Sequence, residues 1–191
     1  SGQLSTIGQI PLYFYTLDLI YKVFGLEVWT MRLLNIALGS LAVLLLFLIG
    51  KELFNKKIGL LSAFLFAVSS FAIINNTESD MASIFFALIS FLFFIRGFKE
   101  QKYFYLSITF LGIAYLFKEI AILLLPAYLI YFGIEYFSQK EHRRRFKLLN
   151  LAVISILILF ALLLPVLTHN YLAYQQKGVV DVRVSKYLRL D

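Results

Sequence analysis

Six long apolar blocks, each nearly free of charge, follow one another at 33–49, 58–74, 81–95, 103–117, 120–137 and 148–168. Leu, Ile and Phe fill them without the alternation of a half-buried strand or the heptad of a coiled coil. Of the 191 residues, 61% are hydrophobic and 15% charged, whereas soluble domains run at about 45–50% apolar and about 25% charged. A soluble globule of this size has too much surface to hide so many apolar side chains, so the bilayer is the solvent. A helix of about 17 residues spans about 25 Å, slightly less than the ~30 Å hydrocarbon core. Flanking Lys, Arg and Tyr are therefore expected to snorkel to the interfaces, and Tyr103, Tyr105, Tyr128, Tyr131 and Tyr136 suit such belts. Lipid-facing backbone must be satisfied internally, and nothing here alternates as a membrane β-strand does. The expected fold is all-α, a polytopic transmembrane helical bundle of about six spans.

A seventh apolar run, 10–24, has a different pattern. Pro11, Tyr15, Asp18 and Lys22 recur at i, i+4, i+7 and i+11, which gathers polar groups on one stripe beneath an apolar face of Leu12, Leu19 and Val23. This predicts a helix lying in the membrane interface, with a short true span as the alternative. The expected organisation is an outer-side segment with the interfacial helix over 1–32, a six-span domain over 33–168 and an outer-side tail over 169–191. Ser1-Gly2-Gln3 opens without an initiator Met or a signal peptide, so a fragment of a longer protein is expected. The lack of cysteine excludes thiolate metal sites, iron–sulfur clusters and a Cys nucleophile.

The net charge of +7 is unevenly placed. Lys51, Lys56 and Lys57 follow the first span, Arg96, Lys99 and Lys102 the third, and Lys140, Arg143, Arg144, Arg145 and Lys147 the fifth: eleven of the 18 basic residues. The intervening turns hold Glu78 and Asp80 with no base, and the tight Lys118-Glu119 corner. The positive-inside rule puts the basic loops in the cytoplasm and the acidic loop, the Lys118 corner and the tail outside. The basic clusters set orientation and touch anionic headgroups. No aromatic residues interleave with Arg143-Arg144-Arg145, and nucleic acid is not an expected partner.

Ionisable groups at span ends are expensive and therefore functional candidates. Glu78 and Asp80, beside Asn75 and Asn76, suit a divalent cation, a polar acceptor or a proton; the plain alternative is a solvated acidic loop. Lys118 is a compact cation suited to a lipid-linked phosphate, and its plain alternative is an internal pair with Glu119 or snorkelling. Pro11 and Tyr13 open the interfacial helix, His169-Asn170 ends the last span, and Asn35, Asn150 and Glu135 read as helix-packing or interface residues. A Gly-rich phosphate loop, His-Glu-x-x-His and Gly-x-Ser-x-Gly are all missing.

Pro11-Leu12-Tyr13 opening a helix that ends Val23-Phe24-Gly25, then Arg32-Leu33, then Gly50-Lys51-Glu52-Leu53-Phe54, resembles the dolichyl-phosphate-mannose protein mannosyltransferase-like family. Thr77-Glu78-Ser79-Asp80 and Gly112-Ile113-Ala114-Tyr115-Leu116-Phe117-Lys118-Glu119 continue the pattern, which covers about Gln9 to Thr168. These are GT-C membrane glycosyltransferases. The resemblance implies transfer of a sugar from a dolichyl or undecaprenyl phosphate donor to a protein or lipid hydroxyl, on the extracytoplasmic face of the plasma membrane or endoplasmic reticulum. It implies an acidic general base upstream of Gln9, and a divalent metal cation or basic side chains at the leaving phosphate. Mapped onto this chain, Lys118, Asp80, Glu78, Tyr13 and Pro11 become donor-phosphate or acceptor residues, with Asp80 and Glu78 as the candidate metal ligands. Arg183, in the outer tail, is a further candidate for the phosphate. The family often has His-Pro-Pro or Lys-Pro where this chain has Gln9-Ile10-Pro11. A lipid or sugar transporter or flippase, and a non-catalytic membrane subunit, are the competing functions; a transporter predicts polar residues near span centres, whereas the charges here sit at span ends.

Because the chain has no cysteine, single Cys probes at Ser79 and Lys99 should label from opposite membrane faces, and labelling from the same face would overturn the topology.

Overall fold

The computed structural model describes residues 12–25, 28–69, 79–138, 149–164 and 168. Every element among them is helical: α1 (Leu12–Phe24), α2 (Val28–Leu53), α3 (Lys56–Ala67), α4 (Asp80–Gly97), α5 (Lys102–Phe117), a 3-10 segment (Glu119–Leu123), α6 (Leu124–Ser138) and α7 (Leu149–Leu164). Three stretches, Arg32–Leu53, Asp80–Gly97 and Glu119–Ser138, are long and apolar enough to cross a membrane, while α5 and α7 are apolar but shorter. The block expected over 58–74 is helical as Lys56–Ala67, and its remainder from 70 lies outside the described residues.

The outer surfaces are those of a lipid-solvated bundle. Leu44, Leu61, Phe64, Ile130, Phe137 and Ile156 all point outward, a pattern that water would not tolerate over so large an area. Hydroxyls on these helices are satisfied locally. Ser40 and Ser62 donate to the carbonyls of Ile36 and Ile58, at 2.8 and 2.9 Å, one turn back. Inside, small residues such as Ala42, Ala63, Ala82, Ser83, Ser107 and Ala114 line the helix contacts, because without a hydrophobic difference between lipid and protein the gain comes from close packing.

Two antiparallel hairpins, α2–α3 and α4–α5, pack through α2 and α4. At the first hairpin a Cβ on Gly50 would lie 2.7 Å from the Gly59 Cα, and one on Gly59 would lie 2.5 Å from the Phe47 carbonyl oxygen. Only glycine permits backbones so close. Asn55 then starts α3, its side-chain oxygen accepting from the Ile58 N–H at 3.0 Å. The far ends of α2 and α4 are joined by Arg96, whose Nε donates to both Glu52 oxygens at 3.0 and 3.2 Å.

A second layer of contacts gathers α4, α5, α6 and α7. Phe94, Phe104, Leu111, Tyr128 and Leu151 form a buried cluster, with the Phe94 and Tyr128 rings stacked 4.1 Å apart. Tyr128 was expected in an interfacial belt and is instead buried. Its hydroxyl lies 2.9 Å from Ser90 Oγ, which in turn donates to the Ser107 carbonyl at 2.7 Å. A polar group at this depth has no water, so three hydroxyl-bearing residues on three helices satisfy one another.

α1 lies against this bundle on the stripe Tyr13, Leu17 and Tyr21, spaced i, i+4 and i+8. Tyr13 and Leu17 meet Ala82 and Phe117. The expected apolar face is thus divided: Leu12 is half-buried, whereas Leu19 and Val23 are exposed beside the Asp18–Lys22 pair. The Tyr13 stripe takes the buried side by packing on Ala82 and Phe117, and the Tyr13 hydroxyl accepts from Asn35 there. Gly25, at φ +88°, closes α1 in the left-handed region that glycine enters freely.

Replacing Gly59 by Leu should separate α2 from α3 and cost about 1–3 kcal/mol or more, read as a lower melting temperature in detergent; an unchanged melt would mean that the hairpin is looser than described.

Candidate functional site

The α4–α5 hairpin brings together two charges that are far apart in sequence. α4 has 18 residues and α5 has 16, joined by a short turn. The end of α5 therefore returns beside the start of α4. Asp80 is the first residue of α4 and Lys118 the first after α5, so a carboxylate sits at a helix N-terminus and an ammonium at a helix C-terminus, each favoured by the local dipole. The two side chains form an ion pair, with 17% of Asp80 and 36% of Lys118 exposed.

The surrounding backbone holds this pair in place. The Ala114 carbonyl accepts from the Lys118 N–H at 3.0 Å and from the buried Ser83 hydroxyl at 3.1 Å, tying the α5 terminus to α4. Lys118 itself is extended, at φ −157° and ψ 135°, and the chain continues as the 3-10 segment. Pro126, in the first turn of α6, has no N–H for the Ile122 carbonyl, so the 3-10 segment and α6 do not run as one regular α-helix. Behind the pair stand Ala82 and Phe117, neighbours of the two charged residues in sequence, and against them rest Tyr13 and Leu17 of α1. The Asn35 amide donates to the Tyr13 hydroxyl at 3.4 Å.

An open groove of about 550 Å³ starts at Asp80, Ser83 and Lys118. One wall is the α4 stripe Ile84, Ala87, Leu88 and Phe91. The other is the corner, with Ile120, Ala121, Leu123 and Leu124. From Asp80 to Phe91 the groove follows α4 for about 16 Å. Its polar end carries a cation, an anion and a hydroxyl, and everything beyond is apolar. Such a shape suits an amphiphile with a polar head and a long hydrocarbon tail.

Of the sequence candidates, the structure brings Asp80 and Lys118 together and places Tyr13 behind them, 4% exposed and outside the groove lining. Lys118 pairs with Asp80, and Glu119 points outward. Asn35 is fully buried at the α1–α2 contact, while Asn150 is exposed. Pro11, Glu78, Arg183, Asn75, Asn76 and His169, together with the Glu135 side chain, lie outside the described residues. Ser83 was not among the candidates, although its position three residues after Asp80 puts it on the same helical face. For the expected divalent cation, the Asp80 carboxylate already carries an ammonium, and among the described residues no group of three or more His, Cys, Asp or Glu could hold a metal ion. Glu78, the other expected metal ligand, lies outside the described residues, and no step is derived through a metal.

The fold and the groove define a polytopic helical membrane protein with a half-buried charged site at the mouth of an apolar channel. The family model described as dolichyl-phosphate-mannose-protein mannosyltransferase matches residues 9–169, and the chain belongs to that family. It is an integral membrane protein of glycosyltransferase type. No curated protein and no solved structure matches the chain.

Tyr13→Ala should destabilise the protein by about 3–5 kcal/mol through lost packing, and Tyr13→Phe by about 0.5–1.5 kcal/mol through the lost hydrogen bond, compared by thermal unfolding in detergent; equal losses would show that the hydroxyl, not the ring, holds α1 in place.

Proposed function

We propose that the protein takes part in sugar transfer from a polyprenyl phosphate carrier to a protein or lipid hydroxyl at the extracytoplasmic membrane face, and that the groove along α4 holds the carrier. The observation that supports this best is the order of chemistry in the groove: Lys118 at the mouth, where a phosphate would sit, followed by about 16 Å of apolar wall for the tail. Family membership supplies the reaction class.

In the transfer, a bond forms between the acceptor hydroxyl oxygen and the anomeric carbon as the bond from that carbon to the phosphate oxygen breaks. The phosphate leaves with the electron pair, and the hydroxyl proton passes to a base. The resemblance puts that base before Gln9, outside the described residues. Lys118 is placed to meet the negative charge that builds on the leaving phosphate, and a fixed cation in a partly dry groove is effective because it needs no reorganisation. Asp80 holds the ammonium at the groove mouth until the phosphate arrives. The Ser83 hydroxyl, bonded to the Ala114 carbonyl, keeps the two helix ends in register.

The α4–α6 contact has polar groups at mid-depth, which a transporter would also show, but Ser90, Ser107 and Tyr128 are uncharged and mutually bonded. The charges remain at the helix ends, which favours the transferase.

With membranes containing the full-length protein and either dolichyl-phosphate-mannose or undecaprenyl-phosphate-mannose as donor, Lys118→Ala should lower the transfer rate by roughly 10²–10³, and Lys118→Arg should recover part of it. Leu88→Trp, which fills the groove, should raise the donor KM. Near wild-type transfer by a folded Lys118→Ala protein would remove the site assignment; no transfer from either donor by the wild type would remove the donor class.

A further inference from the structure

Among the described residues, the corner between α2 and α3 is a further concentration of charge, at the bundle end opposite Asp80 and Lys118. Its sequence, Lys51-Glu52-Leu53-Phe54-Asn55-Lys56-Lys57, is exposed at every position. It carries three lysines and one acid. The acid is withdrawn from the lysines, because Glu52 accepts both of its close hydrogen bonds from Arg96 on α4. Lys51, Lys56 and Lys57 enter no ion pair among the described residues, so the corner presents three ammonium groups.

Between the lysines stand two apolar side chains. Leu53 is 42% exposed and Phe54 67% exposed, at the tip of a two-residue connection. The corner cannot fold over to cover them: the Gly50–Gly59 contact fixes the hairpin below, and Asn55 is held by its bond to the Ile58 N–H. The apolar stretch Arg32–Leu53 ends at Leu53, so Phe54 lies where the helix leaves hydrocarbon and enters the headgroup layer. An aromatic ring at that depth, flanked by cations on flexible stems, matches a surface that is apolar on one side and negatively charged on the other.

We propose that the α2–α3 corner is a binding site for anionic phospholipid, with Lys51, Lys56 and Lys57 on the headgroup phosphate and charge and Phe54 seated among the upper acyl carbons. The site is selective for charge because its only acid is neutralised from α4. A basic residue near an anionic surface gains roughly five-fold in association, so three together give a preference over zwitterionic lipid on the order of a hundredfold. The site stands independently of the glycosyltransferase activity.

The chain has a single tryptophan, Trp29, so Trp29→Phe with Phe54→Trp gives one fluorophore at the corner. The protein is reconstituted in phosphatidylcholine vesicles containing a brominated lipid, either phosphatidylglycerol or phosphatidylcholine, titrated over the same range of mole fractions. The brominated phosphatidylglycerol is expected to quench at a mole fraction at least ten-fold lower than the brominated phosphatidylcholine. Lys51→Gln, Lys56→Gln and Lys57→Gln combined should bring the two curves together, and raising the salt concentration should narrow the gap in the lysine-bearing protein. Equal quenching by both lipids overturns the site, as does a preference that survives the glutamine substitutions. Absence of quenching by either lipid overturns it too, since the ring would then lie outside the bilayer and an acidic protein segment would be the better partner. If the triple variant melts early, Lys57→Gln alone is compared, with a partial closing of the gap expected and an unchanged gap counting against the site.

Discussion

Hydrocarbon offers the peptide group no hydrogen-bond partner, and each unsatisfied N–H or C=O there costs several kcal/mol. Helices meet that demand within one segment, which is why all described elements are helical. The same demand governs the side chains. Ser40, Ser62 and Thr109 turn back to carbonyls of their own helices, and Ser90, Ser107 and Tyr128 close their needs on one another across three helices. Once the polar groups are settled in this way, apolar packing no longer distinguishes protein from lipid. What remains to specify the bundle is close approach at small residues and a few polar contacts.

Two of those polar contacts, both ion pairs, stand at the two ends of α4. Asp80 meets Lys118 at one end and Arg96 meets Glu52 at the other, with 16 residues, or about 24 Å, between them along the helix axis. That separation approaches the thickness of the hydrocarbon core, so both pairs reach the interfaces where partial hydration lowers the cost of their charge. The pairs differ in setting. Arg96 and Glu52 join α4 to α2 and leave the α2–α3 lysines without an ion-pair partner among the described residues. Asp80 and Lys118 join α4 to α5 at the mouth of an apolar groove, where a partly dry surrounding gives the ammonium more influence over a nearby anion than it would have in water. α1 contributes from behind: Tyr13 and Leu17 press on Ala82 and Phe117, the residues that carry the charged pair into position.

Much of this was legible in the chain and some was not. Apolar runs without charge located the helices, because the lipid requirement acts on composition alone. Asp80 and Lys118 stood out singly for the same reason, as charges at span ends. Their pairing did not, since it depends on α4 and α5 being nearly equal in length and antiparallel, and Glu119 was the nearer partner in sequence. Tyr128 suited an interfacial belt by residue type alone; at the middle of the 120–137 run it is instead buried, with its hydroxyl on Ser90. Ser83 escaped notice because a lone serine in an apolar run has no signal of its own; its meaning comes from facing Ala114. On α1 the polar stripe was evident, but which of two apolar flanks would be buried turned on contacts with Ala82, Phe117 and Asn35, all far from Tyr13 in sequence.

Composition and spacing thus settle that the chain lies in a membrane, that it is helical and where its charged groups fall, because these follow from local chemistry and from the solvent that surrounds each segment. Family membership is likewise carried by ordered motifs along the chain. The partners of those charges, the burial of Tyr13 and Tyr128 and the groove that begins at Lys118 were decided only by tertiary structure. A pair or a groove exists only when two helices stand at a given distance and rotation, and those are set by residues such as Gly50, Gly59 and Ala114, whose effect lies in the space they leave for a neighbour.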